Sequence, residues 1–218
     1  MNTDSRATGV RVGIVGAGHI GGALAATLPR VGHPVLLANS RGPESLRELV
    51  AKLGPGVQAA TVAEAATADI VVVTVPLRAL TALSADQFAG RIVVDTCNYY
   101  PQRDGVFAEL EDGSMNSSEL VAAHLSNSTV VKAFNTIYFE RLANEGSPEL
   151  PLDQRLAIPV ASDDAAAKAL VSGIISELGF APVDGGTLAD SWRQEPGQPV
   201  YNQPVGPAEA QRIIDTTG

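Results

Sequence analysis

Short apolar runs of strand length alternate with stretches of helical periodicity along most of the chain. Such alternation predicts repeated β-α units around a mainly parallel sheet, with each helix carrying the chain back for the next strand. The first strand is expected at 10–15. A helix at 20–31 follows, its small alanines suited to packing on a sheet and Gly32 ending it. Next come a strand at 34–38 and a helix at 43–53, closed by Gly54 and Pro55. A short third strand falls at 57–60, after which Thr61 can cap a helix over 62–68. The run 70–75 reads as a fully buried strand and 91–95 as the fifth. A helix at 118–125 leads to a strand at 129–134. The last third offers a strand at 156–161, a helix at 165–178 and a strand at 180–183, where Pro159 and Pro182 favour edge positions. Between 185 and 206 neither period is present, and the abundance of Gly, Pro and Gln reads as a functional loop or lid. Helical character returns at 207–215.

Composition narrows the class. The 218 residues, 45% hydrophobic and 18% charged, suit one folded domain and exclude disorder away from the ends. A net charge of −9, from 15 basic against 24 acidic residues, argues against nucleic acid or an anionic membrane surface as a partner. The single Cys97 excludes an intramolecular disulfide and a cysteine-rich zinc site. His19, His33 and His124 lack ligand spacing, so no metal is expected. The first nine residues carry no signal-peptide core and the longest apolar run is far too short to span a bilayer, so the expectation is a soluble, cytoplasmic protein.

The strongest chemical signal is Gly16-Ala17-Gly18-His19-Ile20-Gly21, a GxGxxG placed directly after the first strand and at the start of the first helix. Gly16 allows the tight turn, Gly18 lets the backbone approach a pyrophosphate, and Gly21 permits close helix–strand packing. Free N–H groups at the helix start then hold the anion. The expected fold class is therefore α/β, a Rossmann-type parallel sheet flanked by helices. A flexible start covers 1–9, the nucleotide-binding domain 10–184, and a lid loop with a C-terminal helix 185–218. The tip of the second strand reads Asn39-Ser40-Arg41, without the acid that would accept from a ribose 2′-hydroxyl. Arg41 and Ser40 suit a 2′-phosphate instead, which predicts NADP(H) over NAD(H). His19 lies in the glycine loop, either near the phosphates or simply exposed.

Ligands of open α/β sheets gather beyond the carboxyl ends of the strands. There the chain offers Thr74, Val75 and Pro76; Asn98, Tyr99 and Tyr100; Ala133, Asn135, Thr136, Ile137 and Tyr138; and Gly186, Thr187, Leu188 and Trp192. With Phe134, Phe139 and Tyr201, these include seven of the ten aromatic residues, which suggests an aromatic wall for a planar ligand or, for the phenylalanines, core packing. Amides and hydroxyls outnumber ionisable groups, a set suited to hydride transfer, where positioning and exclusion of water dominate. Asp163-Asp164 reads as a helix cap and 109–112 as a solvated face or loop. Cys97 lacks a basic neighbour to activate it. Lys132 is placed to pair with an acid.

The strings Gly16–Gly21, Asn39-Ser40-Arg41, Val130-Val131-Lys132-Ala133-Phe134-Asn135-Thr136-Ile137 and Asp184-Gly185-Gly186-Thr187-Leu188-Ala189 together resemble the F-420-dependent NADP oxidoreductases. The cytoplasmic reductase domain of the six-transmembrane epithelial antigens of the prostate shares that pattern. The resemblance implies 2′-phosphate contacts from Ser40 and Arg41. It implies a second-ring pocket lined by Asn135, Thr136 and Ile137, with Gly186, Thr187 and Leu188 closing over the rings. It also implies direct hydride movement between NADP(H) and a deazaflavin or flavin. Ala17, 98–105 and 191–199 depart from the F-420 enzymes, which points to a branch with another acceptor. A reductase of a small imine or carbonyl, with Tyr99, Tyr100 or Tyr138 as proton donor, is the alternative enzyme. A non-catalytic NADPH sensor is the alternative binding module. The 185–206 segment is placed to cap its own site or that of a neighbour in a homodimer.

Overall fold

Period-2 alternation sorts the strand residues between two apolar layers in the computed structural model, which describes residues 9–218. The flexible start expected at 1–9 lies outside the described residues except for Gly9. In chain order the elements are β1 (Val12–Val15), α1 (His19–Thr27), β2 (Val35–Ala38), α2 (Arg47–Leu53), β3 (Val57–Ala60), α3 (Val62–Ala65) and β4 (Ile70–Val73). There follow β5 (Ile92–Asp95), α4 (Pro101–Asp104), α5 (Ala108–Glu111), α6 (Ser117–His124), β6 (Thr129–Lys132) and α7 (Phe139–Asn144). β7 (Ala157–Val160), α8 (Ala165–Glu177), β8 (Ala181–Asp184) and α9 (Pro207–Thr216) complete the chain.

Six strands form a parallel sheet in the order β3-β2-β1-β4-β5-β6, so the order reverses between β1 and β4. Both central strands are buried along their whole length. Val12, Ile14, Ile70 and Val72 face one core layer with Leu24, Val171 and Ile174. Val15, Val71 and Val73 face the other with Leu77, Phe88, Val121 and Leu125. β7 and β8 form a separate two-stranded parallel sheet, joined to the main one by a bridge between Lys132 and Ala161. Pro159 and Pro182 lie in that pair, where the free outer edges tolerate a missing N–H donor.

Local chemistry sets several boundaries. Thr61 and Glu64 form a reciprocal capping box at α3. Asp164 caps α8 by accepting from the Ala167 N–H. The helix expected at 20–31 ends as α-helix at Thr27 and continues as a 3-10 turn through Leu28–Val31, with Pro29 in its first turn. Residues 109–112, read as a solvated face or loop, belong partly to α5.

The segment expected to be a lid is a bonded strap. It contains the 3-10 turn Ala189–Gln194, with Ser191 and Gln194 buried. The Asn116 amide donates to the carbonyls of Leu188 and Ala189. Asp163 accepts from the Leu188 N–H, and Glu195 accepts from the Ser117 N–H. Val200 packs with Val183, Ala210 and Ile214, which seats α9 on β8. Long-range side-chain bonds of this kind leave no periodic trace, which is why the sequence reads as loose there. Among the described residues no helix is long and apolar enough to cross a membrane.

Candidate nucleotide site

At the β1/β4 reversal the carboxyl ends of the strands part, and a cleft of about 800 Å³ opens there. Gly16, Ala17 and Gly18 from the loop after β1, Asn39, Ser40 and Arg41 after β2, and Thr74, Val75 and Pro76 after β4 all line it. Gly16 has φ +121°, and a Cβ there would lie 2.2 Å from the Thr74 carbonyl oxygen. Around Gly18 a Cβ would meet nothing within 4 Å, so the open face of the turn is available to a ligand. Gly18 begins α1 without a side-chain cap, and the first turn carries no acid. Its N–H groups and dipole therefore suit an anion. Gly21 is buried against the Gly16 carbonyl and serves packing.

The rim after β2 is held by Asn39, whose Oδ1 accepts from the Arg41 N–H at 2.9 Å and from the Ser45 hydroxyl. This local turn fixes the Ser40 and Arg41 backbone. Among the described residues neither the Ser40 hydroxyl nor the Arg41 guanidinium has a hydrogen-bonding partner. Arg41 is also the one charged side chain lining the cleft among the described residues. In a chain of net charge −9, a wall without carboxylates is a local exception that favours an anionic ligand.

The cleft also includes Gly42, Thr61, Val62, Ala79, Ala82, Leu83, Ser84 and Gln87, which the sequence reading missed. Thr61 and Val62 follow β3 and were within reach of the same strand-end rule. Residues 79–87 lie in and between two 3-10 turns, Leu77–Ala82 and Ala85–Phe88, and short 3-10 turns carry no usable hydrophobic period.

Other expected residues lie elsewhere. His19 is exposed and stacks on Phe139 with ring centroids 4.2 Å apart, tying α1 to α7 rather than facing the cleft. Ile20 packs at the margin of the core. Beyond β6, Phe134 turns the chain with φ +61°, and Ala133, Phe134, Asn135, Thr136 and Ile137 are all buried. The Asn135 amide donates to the Gln194 carbonyl (2.6 Å) and to Asn98 Oδ1, and its own oxygen accepts from Gln194. Asn135 thus pins the strap, and its hydrogen-bonding capacity is largely used by the protein. Gly186 and Thr187 stand over Asp190, which accepts from the Thr187 N–H and hydroxyl, and Leu188 is buried.

The aromatic residues form separate contacts instead of one wall. Phe134 joins the core. Tyr138, half exposed, leans on Phe139. Trp192 lies under the Arg193 guanidinium. The Tyr99 ring meets Phe107 edge-on, and its hydroxyl donates to Glu111 at 2.7 Å. Burial and that carboxylate push the Tyr99 phenol up, so it is committed to a structural bond. Tyr100 and Tyr201 share a hydrogen bond between their hydroxyls.

Below them sits a buried ion pair. Lys132 and Asp95 face one another in the β5–β6 register, are fully buried, and pair at 3.0 Å. Asp95 also accepts from the Ser118 hydroxyl and the Cys97 N–H, while Lys132 donates to the Cys97 carbonyl and to Ser117. Burial, with the nearby Asp95 charge, raises the Cys97 thiol well above its ordinary value, which removes it as a nucleophile.

Strand order, glycine turn and cleft define a Rossmann-type dinucleotide-binding domain. Comparison with known proteins makes this more specific. Residues 11–99 match the family described as NADP oxidoreductase coenzyme F420-dependent. A solved structure of a hypothetical protein, SMa0349 from Sinorhizobium meliloti, is 32% identical, covers 91% of this chain and 96% of its own, and superposes with a TM-score of 0.79. A structure from Arthrobacter sp. fb24 assigned as an F420-dependent NADP-reductase is 25% identical over 85% of this chain and 88% of its own, with a TM-score of 0.68. Metalloreductase STEAP3 of Rattus norvegicus is 31% identical over 185 residues, 83% of this chain and 35% of that protein. The chain spans about a third of the length of the curated relatives it matches. Over residues 11–99 the chain is similar to the coenzyme F420-dependent NADP oxidoreductases, and the Arthrobacter structure extends that likeness to most of its length.

Proposed function

We propose that this chain binds NADPH along the cleft and passes its hydride to a planar acceptor, with deazaflavin F-420 or a flavin as the class. The single observation that carries the reading is the pairing of two cleft features. One is the uncapped glycine turn at α1; the other is a rim whose only charged side chain, among the described residues, is Arg41. The turn holds the pyrophosphate through backbone N–H groups. Arg41 and Ser40 hold the 2′-phosphate, where charge-assisted bonds worth about 1.5–3 kcal/mol favour NADPH over NADH by roughly tenfold to a hundredfold. Thr74, Val75 and Pro76 form the wall on the far side of the reversal.

When bound, the nicotinamide supplies the hydride. The chain supplies position and dryness. Asn98 and Asn135, locked to each other and to Gln194, fix the strap across the ends of β5 and β6, so this half of the edge is preorganised. The name of the Arthrobacter structure supports a ring acceptor, and that of the rat protein a metal-associated one.

The test is NADPH oxidation by purified protein with F-420 and, in parallel, FMN. Saturable turnover with either ring is the expected result. Tight NADPH binding with no turnover on both would overturn the acceptor, and absence of NADPH binding would overturn the whole reading.

A further inference from the structure

Tyr100 and Tyr201, 101 residues apart in sequence, bring their hydroxyl oxygens to 2.5 Å. Each phenol carries one hydrogen, and their mutual bond uses only one of the two. The Asn98 amide donates to the Tyr201 oxygen at 3.3 Å and so offers no acceptor. Among the described residues, the remaining phenolic hydrogen has no protein acceptor in either orientation of the pair. The pair is therefore built to donate one proton outward.

Its position is defined by bonds to the cleft wall. One Asp104 carboxylate accepts from the N–H groups of both Arg78 and Tyr100, which ties Tyr100 to the chain two residues beyond Pro76. Tyr201 is tied to the end of β6, because the next N–H, of Asn202, donates to the Thr136 carbonyl. The phenols thus stand over the β4–β6 half of the carboxyl edge, across the reversal from Arg41. A dinucleotide laid over the reversal with its 2′-phosphate at Arg41 places its reacting end on that half.

We propose that the Tyr100–Tyr201 pair is the proton donor to the hydride acceptor, an inference that rests on the hydride-transfer reading above. The acceptor class is a conjugated ring, or another polar double bond, whose reduction places negative charge on nitrogen or oxygen. The acceptor atom, a ring carbon in a deazaflavin and a ring nitrogen in a flavin, gains the hydride and forms a new C–H or N–H bond. The displaced π pair moves to the heteroatom, which takes the proton as the phenol O–H breaks. The phenolate left behind regains a proton from water through the second phenol, so NADPH, acceptor and one proton give NADP⁺ and reduced acceptor.

The pair rests protonated, so it cannot act as a base. Burial, and the bond to Tyr100, push the Tyr201 phenol up, so it is protonated at neutral pH. The Arg103 guanidinium lies 4.9 Å from the Tyr100 ring centroid and is held there by Asp104 and the Asn98 carbonyl. It stabilises the transient phenolate.

The experiment compares Tyr100→Phe and Tyr201→Phe with the wild type. In NADP⁺-saturated protein, FMN binding followed by quenching of flavin fluorescence is expected to weaken about 2- to 10-fold in at least one variant, the loss of one hydrogen bond. Turnover of NADPH with FMN or F-420 is expected to fall about 100-fold. NADPH affinity stays unchanged, and small buffer acids restore part of the rate. Unchanged FMN affinity in both variants, absence of FMN binding by the wild type, or a loss of NADPH affinity that parallels the loss of rate would overturn the donor. Wild-type silence with both rings alongside a variant defect in FMN affinity would overturn hydride transfer to these rings and keep the phenols as a ligand contact.

Discussion

The two halves of the carboxyl edge are built by different chemistry. Over β1–β3 the wall is backbone, small side chains and one arginine, and it opens into a cleft. Over β4–β6 the loops are tied by side-chain hydrogen bonds among Asn98, Asn135, Gln194, Tyr100 and Tyr201, above the buried Lys132–Asp95 pair. The open half recognises through main-chain N–H groups and fixed charge, so it tolerates side-chain change as long as Gly16, Gly21 and Arg41 are kept. The closed half depends on each partner being present, because an unpartnered buried polar group costs its full desolvation.

The largest expected break lies in the closed half. Lys132→Met leaves Asp95 charged and buried without its partner, which should cost about 3–5 kcal/mol, read as a lowered urea midpoint with unchanged slope. Replacing both members by apolar residues should recover much of that loss. A single variant as stable as the wild type would show that water reaches the pair.

In the open half, Arg41→Ala should raise the Michaelis constant for NADPH about 10- to 100-fold and leave that for NADH within twofold. Equal effects on both nucleotides would remove the 2′-phosphate from this rim. Stability should hardly change, since no described residue bonds the guanidinium.

Acid should separate the halves as well. The Lys168 ammonium, then the Gly186 N–H, holds Asp184 below the ordinary carboxylate range, and the hydroxyl and N–H of Thr187 do the same for Asp190. A group depressed in the folded state adds stability that is present above its unfolded value and is lost as pH falls through the folded one. Below about pH 4 the strap should therefore loosen. Trp192, the sole tryptophan, reports on it directly. Its fluorescence should change at a higher pH than the far-ultraviolet dichroism; coincident transitions would mean that strap and sheet unfold together. The smallest effect belongs to Thr61→Ala, which removes the cap of α3 at the cleft mouth and should cost about 1 kcal/mol by thermal unfolding.

Legibility follows the same division. The alternation of apolar runs placed all eight strands within a few residues, because burial of a strand writes its period locally. The glycine turn and the acid-free rim were equally plain, since both act through consecutive residues. Residues 79–87 were missed for want of a period, and 133–137, Gly186, Thr187, Leu188 and Trp192 were expected to meet ligand directly. The turn at Phe134 carries the residues after β6 inward, where Asn135 bonds protein instead. The resemblance of these strings to a family agrees with the match over residues 11–99 while saying little about which atoms are free.

By itself, then, the amino-acid sequence determined the order of the strands and of the longer helices between them, the parallel sheet, the caps at Thr61 and Asp164 and the anion-binding turn, all of which depend on neighbours within a few positions. The tertiary structure alone decided that 185–206 is a bonded strap, that Lys132 answers Asp95, and that two tyrosines from distant segments share one hydrogen bond. Those pairings join residues 37, 59 and 101 positions apart. Local propensity carries no term for such distances; they are fixed only when the packed strands bring their ends to one edge.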